Sequence, residues 1–258
     1  MKRKYIVLIL ILLFLILFFY QDPYAINDNK ILSHPDLENI LGCDNMGRDI
    51  FSRLVLGSFY TMLIASLSVA LSVIVGTIIG SIAGYYGWSL DSIITSFIEV
   101  IIAIPSILIA LGVIIVLKTG FISMIVAIFI IYLPRCVNMV RGLVKKEKNM
   151  EYVIAAKTYG VSNIRIIFYH ILPNIMKSVL ISFTTGFAGA ILTEAGLGYL
   201  GLGIQPPYPT WGNILNQSQS YFLSAPWFTI APGLAIIFTV YQMNKLEKRG
   251  KRFWWYWL

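Results

Sequence analysis

Residues 54–90 read LVLGSFYTMLIASLSVALSVIVGTIIGSIAGYYGWSL, and no charged side chain lies between Arg53 and Asp91. About 20 apolar residues of helix cross the hydrocarbon of a bilayer, so this run is long enough for one crossing with residues to spare. In lipid the backbone must satisfy its own hydrogen bonds. A continuous apolar run does this as a helix, whereas barrel strands would alternate apolar and polar residues. Further uncharged runs lie between Lys118 and Arg135, between Lys177 and Glu194, and over residues 195–244. The chain is 58% hydrophobic and 12% charged, with a mean hydropathy of +0.78. That is about half the charged fraction of a soluble domain. The predicted fold class is an all-α, polytopic transmembrane helical bundle.

Tyr5 to Tyr20 is the first apolar segment, behind the basic Lys2-Arg3-Lys4. The following Gln21-Asp22-Pro23-Tyr24 is a poor small-x-small cleavage site, so residues 1–20 read as an uncleaved signal anchor. Residues 21–57 are polar and lean acidic, and form an expected extracytoplasmic segment. The transmembrane domain, 58–243, holds spans at 58–85, 92–117, 121–140, 172–196 and 226–243, giving about six with the anchor. The net charge of +8 is concentrated at 2–4, 135–177 and 245–252. With six spans these clusters all fall on one side, which the positive-inside rule makes cytoplasmic, together with both termini. A basic patch without a soluble fold to present it argues against nucleic acid as a partner. Gly76, Gly80 and Gly84 give the first long span a small-xxx-small face for close helix packing. Pro105 is expected to kink its span. Cys43 and Cys136 fall on opposite sides of the membrane and cannot pair.

The sequence lacks a G-x4-GK[ST] phosphate loop and any HExxH or Ser-His-Asp set in the apolar core. The chain is therefore expected to be non-catalytic, with no cofactor of its own. Two carboxylates within or beside spans, Glu99 and Glu194, are candidates for a translocation pathway, because a charge there must face protein or water. For Glu194 the alternative is a hydrogen bond orienting the Gly-rich segment after it; for Glu99 it is packing against a partner helix. Their placement near opposite faces disfavours a membrane-embedded enzyme. A secondary, ion-coupled transporter is the stronger rival, but it would normally show broken helices at the midplane in repeated halves.

Between the basic run 141–148 and the next span lies EYVIAAKTYGVSNIRIIFYHILP, Glu151 to Pro173. Glu151–Tyr159 suits two helical turns, with Gly160 as C′ terminator. Ser162 is placed to cap a second short helix, and Pro173 suits the first turn of the following span. The expected result is a helix–turn–helix along the inner surface, then a sharp entry into the bilayer. Spacing alone fits either an interfacial amphipathic helix or a docking element.

The stretch 148–172 resembles the "EAA" coupling loop of ABC-transporter permeases, with Ala155, Ala156, Gly160, Leu172 and Pro173 at matching spacing. Ile154 stands where that pattern has Glu, and Glu151 lies about a turn earlier. Two other stretches are similar to the dipeptide/oligopeptide/nickel branch, second-permease type. They are LGCDNMGRDIFSR at Leu41–Arg53, with Cys43 replacing the usual Thr, and EAGLGYLGLG from Glu194 through Pro206, Pro207, Trp211, Gly212 and Asn213. The resemblance implies a permease subunit of a binding-protein-dependent importer in a bacterial or archaeal cell (inner) membrane. Its implied cargo is peptide or a nickel-type solute. Its implied partners are a second homologous permease, two ABC ATPases that bind ATP-Mg, an extracytoplasmic substrate-binding protein and the lipid bilayer. ATPase coupling would fall to Glu151, Ala155, Ala156, Gly160, Leu172 and Pro173. The tail, 244–258, departs from the family: it reads NKLEKRGKRFWWYWL, basic then aromatic. It suits the membrane interface, or is an altered terminus that impairs assembly.

Overall fold

The computed structural model describes residues 18–255. Among them every regular element is helical, and the one extended pairing is an isolated bridge between Cys43 and Asp49. The helices are α1 (Ile50–Tyr86), α2 (Trp88–Ala103), α3 (Ser106–Leu117), α4 (Phe121–Glu147), α5 (Glu151–Thr158), α6 (Asn163–Arg165), α7 (Leu172–Tyr199), α8 (Trp211–Ser218) and α9 (Pro226–Trp255). Four helical stretches are long and apolar enough to cross a membrane: Ile50–Tyr86, Phe121–Glu147, Asn163–Tyr199 and Pro226–Glu247. The α2–α3 pair makes a fifth if its two bent halves count as one span. The expected anchor at Tyr5–Tyr20 lies almost wholly outside the described residues.

Three expectations are corrected. The span at 92–117 is broken rather than kinked, since α2 and α3 meet at 93°. Ile104 is extended there (φ −85, ψ 125) and Pro105 caps α3. A residue before proline is driven out of the α region, and proline cannot return the lost backbone bond, so the helix restarts in a new direction. Second, no break in the helix precedes Pro173. The helix is continuous from Asn163 to Tyr199 through a π turn at Ile166–Ile171, in which the Leu172 N–H donates to the Ile167 carbonyl. The wider turn accommodates a proline that would otherwise cost an i→i−4 bond and crowd the carbonyl behind it. Third, the tail is no separate segment as far as Trp255, because α9 carries straight through it.

The described residues fall into two compact units whose boundaries cut α1, α7 and α9 and part Phe121 from the rest of α4. The first comprises residues 18–64, 119–121 and 191–239. Its core gathers Ile50, Ile214, Ala225 and Phe228. Here α8, unforeseen inside the Gly- and Pro-rich stretch, starts from a reciprocal cap in which Thr210 Oγ1 accepts from the Asn213 N–H while Asn213 Oδ1 accepts from the Thr210 N–H (3.2 and 3.0 Å). The second unit comprises 65–118, 122–190 and 240–255. Its α1–α4 contact is the glycine face read from the sequence. A Cβ on Gly76 would meet Cys136, and one on Gly80 or Gly84 would lie 2.7 Å from the Val137 or Arg141 carbonyl.

Candidate functional site

The insert is a short helix fixed on one side and open on the other. Val153 and Ala156 of α5 are buried in a cluster with Val140 and Val144 of α4 and Ile167 and Ile171 of the π turn. Glu151 begins α5, exposed, where a negative charge complements the helix dipole. The helix closes in a Schellman arrangement: Gly160 N–H to Lys157 O (3.0 Å) and Val161 N–H to Ala156 O (3.1 Å), with Gly160 at φ +76. Ala155 and Ala156 do not form one partner-facing surface, since Ala156 points into the core and Ala155 outward. Leu172 is half-buried against the same cluster and Pro173 is exposed. Ser162 precedes α6 without making a side-chain cap bond. The open edge carries large apolar side chains, Ile154 at 54% and Tyr159 at 87% exposure. These two were not among the residues picked from the sequence. Their spacing gave no signal, because residues five apart stand about 140° apart on a helix.

Neighbouring helices brace this element. Tyr85 Oη donates to Asn163 Oδ1 (2.8 Å), and Lys148 Nζ lies 5.6 Å over the Tyr85 ring. Tyr152 Oη donates to Glu147 and accepts from Asn174 Nδ2 (2.9 Å). Partial burial, then the bond to the Glu147 carboxylate, raises the Tyr152 hydroxyl above the ordinary tyrosine pKa. Asp91, at the start of α2, receives Arg141 Nε, Arg141 Nη2 (2.8 Å) and Lys145 Nζ (2.6 Å) from α4. This bidentate clamp ties α2 to the basic run. Sequence reading used these charges only for orientation, because residues fifty positions apart give no local sign of pairing.

The two candidate pathway carboxylates have different surroundings. Glu99 is exposed on α2. Glu194 is fully buried in the first unit, where Thr61 Oγ1 donates to its Oε2 (3.1 Å) and itself accepts the Trp211 N–H (3.1 Å). The backbone around it is tight: a Cβ on Gly198 would lie 2.9 Å from the Gly212 Cα. Glu194 therefore joins α7 to α1 and the start of α8, the orienting role weighed for it above.

The Leu41–Arg53 stretch is a buried polar network in the same unit. Asp44 pairs with Arg48 Nε (2.8 Å) and Arg53 Nη1 (2.9 Å), and both arginines donate to Gln217 Oε1 on α8 (3.1 Å each). Asp49 accepts from the Ser52 N–H and hydroxyl (2.7 and 2.6 Å) at the start of α1 and from Asn39 Nδ2 (3.0 Å). Cys43 and Cys136 are both free and both buried.

Residues 76–246 match the family described as "Binding-protein-dependent transport system inner membrane component". The dipeptide transport system permease protein DppC of Alkalihalophilus pseudofirmus is 38% identical over 220 residues, covering 85% of this chain and 72% of that protein. The glutathione transport system permease protein GsiD of Pectobacterium atrosepticum is 36% identical over 232 residues, covering 88% and 77%. A solved structure of the MetNI methionine ABC transporter in an inward-facing conformation aligns with a TM-score of 0.66 at 17% identity, over 78% of this chain and 95% of that one. At that identity the likeness is one of fold.

Proposed function

The chain belongs to the binding-protein-dependent transport system inner membrane component family, and on that premise we propose that α5 is the surface through which partner ATPases drive it. As an importer permease it conducts solute and catalyses no covalent step. Glu151, Ala155, Ala156, Gly160, Leu172 and Pro173 form and anchor the coupling element. Ile154 and Tyr159 supply its contact edge. The observation that carries this reading is the asymmetry of α5: Val153 and Ala156 are locked into the core while an apolar edge stands exposed. A rigid element with an unsatisfied apolar edge is suited to transmit force from a docked protein. Closure of two ATPases on ATP-Mg would push α5, and the Asp91 clamp and the α1–α4 contact would pass that motion to the spans.

The full importer would pair this chain with a second homologous permease, two ATPases and an extracytoplasmic binding protein, with both termini of the chain cytoplasmic. We divide the chain into an anchor at 1–20, an extracytoplasmic segment at 21–57, a transmembrane domain at 58–243 and a basic, aromatic end at 244–258 that continues α9 as far as Trp255. The names of the relatives favour peptide cargo over a nickel-type solute. Glu194 contributes to the pathway by holding the Gly-rich segment, and Glu99 is the more accessible carboxylate.

Co-purification from solubilised membranes, with neighbouring transporter genes co-expressed, tests the coupling role. The wild-type chain should recover an ATPase, and Ile154→Asp with Tyr159→Ala should lose it while remaining in the membrane. Undiminished recovery by that double variant would remove α5 from the interface.

A further inference from the structure

Within the second unit an apolar groove runs between α1, α2 and the helix beginning at α6. Thr77 and Leu172 line one end, and Tyr86, Leu90 and Ile164 the other. Tyr86 lies nine residues beyond Thr77 on α1 and Leu172 eight beyond Ile164. At 1.5 Å per residue the groove is therefore roughly 13 Å long and parallel to both helices. The Tyr85–Asn163 hydrogen bond holds the end of α1 level with the start of α6. At that level the groove opens into a second depression, which shares Ile164 and Phe168 with it and adds Ser162, Arg165 and Tyr169. Arg165 is exposed, its guanidinium 5.9 Å from the Tyr169 ring, and it has no ion-pair partner among the described residues. Tyr86 and Trp88, both exposed, stand around the same level, as aromatic residues do at the headgroup layer.

We propose that this groove is a binding site for an anionic phospholipid, with the headgroup phosphate on Arg165 and one acyl chain lying along α1 and the helix that begins at α6. The apolar length lies within the spans, while Arg165, the one cation among the residues lining the two depressions, stands at their end, which is how charge and hydrocarbon are ordered in a phospholipid. A zwitterionic lipid brings its own cation to the headgroup and gains less from Arg165, so the site selects net negative charge. A groove open along its length admits a chain, whereas a closed cavity would favour a compact solute.

Native mass spectrometry of the full-length protein, extracted from bilayers containing phosphatidylglycerol and phosphatidylcholine, is the direct test. The wild type should retain phosphatidylglycerol preferentially. Arg165→Gln should lower that retention about fivefold, the effect expected for one interfacial charge. Ile82→Trp, which fills the groove, should lower it as well, and Lys118→Gln should leave it unchanged. Both lowered variants alter exposed residues, and monodisperse elution would establish that they fold. Equal retention of both lipids by the wild type, or unchanged retention in both groove variants, would reduce the site to ordinary bilayer contact and overturn the proposal. A cross-link from Ile82→Cys to a co-purified permease or ATPase would overturn it too, by making the groove a protein interface.

Discussion

Gly160 has room for a side chain but not the backbone for one. A Cβ there would meet nothing within 4 Å, yet φ is +76, where an L-residue costs about 1–2 kcal/mol. Gly160→Val should therefore distort the end of α5 without a clash, and Gly160→Asn, which tolerates that region, should distort it much less. In reconstituted importer, stimulation of ATPase activity should fall for Val and survive for Asn. Equal behaviour of the two would mean the turn's conformation is irrelevant to coupling. The cysteines yield a second expectation. Cys43 falls in the expected extracytoplasmic segment, but it is buried, and that burial raises its thiol above the ordinary cysteine pKa. Less thiolate and no access both slow alkylation. A membrane-impermeant maleimide should leave Cys43 and Cys136 unlabelled in intact cells and modify both after denaturation. Rapid labelling of Cys43 in sealed cells would contradict the burial of the 41–53 network.

Element by element, packing within the second unit depends on glycine. The Gly80 Cβ position lies 2.7 Å from the Val137 carbonyl and 2.9 Å from the Val140 Cβ. A backbone atom cannot swing aside as a side chain can. Gly80→Val should cost about 1–3 kcal/mol by overpacking, read as a lower melting temperature in detergent; an unchanged melting temperature would mean α1 and α4 do not meet there. This face was legible in the sequence because a four-residue spacing of glycines is a local pattern. So were the Gly160 turn and the long uncharged helices, for the same reason. The break at Pro105 was legible only as a kink, since the angle between α2 and α3 depends on what each half packs against. The Asp91–Arg141–Lys145 clamp joins residues 50 and 54 positions apart, and Gln217 receives Arg48 and Arg53 from 169 and 164 positions away, and no periodicity reports such pairs. Ala155 and Ala156 lie on different faces of α5 because neighbours on a helix stand about 100° apart. Removing one partner of a buried charge network leaves the others desolvated and unpaired. Asp44→Ala should accordingly destabilise the first unit by about 3–5 kcal/mol, and a thermal unfolding curve matching wild type would show that the network carries no such weight.

For the whole molecule the deciding question is where the energy for transport enters. A proton-coupled carrier needs a carboxylate that gains and loses a proton during the cycle, and Glu194 is the fully buried candidate. In the structure its carboxylate accepts from Thr61, which in turn receives the Trp211 N–H, so its geometry is that of a brace between α7, α1 and α8. Glutamine can accept the same bond without titrating. Glu194→Gln should then transport nearly as well as wild type, whereas Glu194→Ala leaves the Thr61 hydroxyl buried and unmatched at about 1–3 kcal/mol. The same contrast extends to the energy source. In proteoliposomes holding the assembled importer, uptake of a labelled dipeptide should require ATP on the side of α5, and an imposed pH gradient should not replace it. Loss of uptake in Glu194→Gln together with uptake driven by pH alone would assign the force to Glu194 rather than to α5. Transport by Glu194→Gln that still stops when ATP is withdrawn would leave the braced carboxylate as scaffold and α5 as the point where work is done.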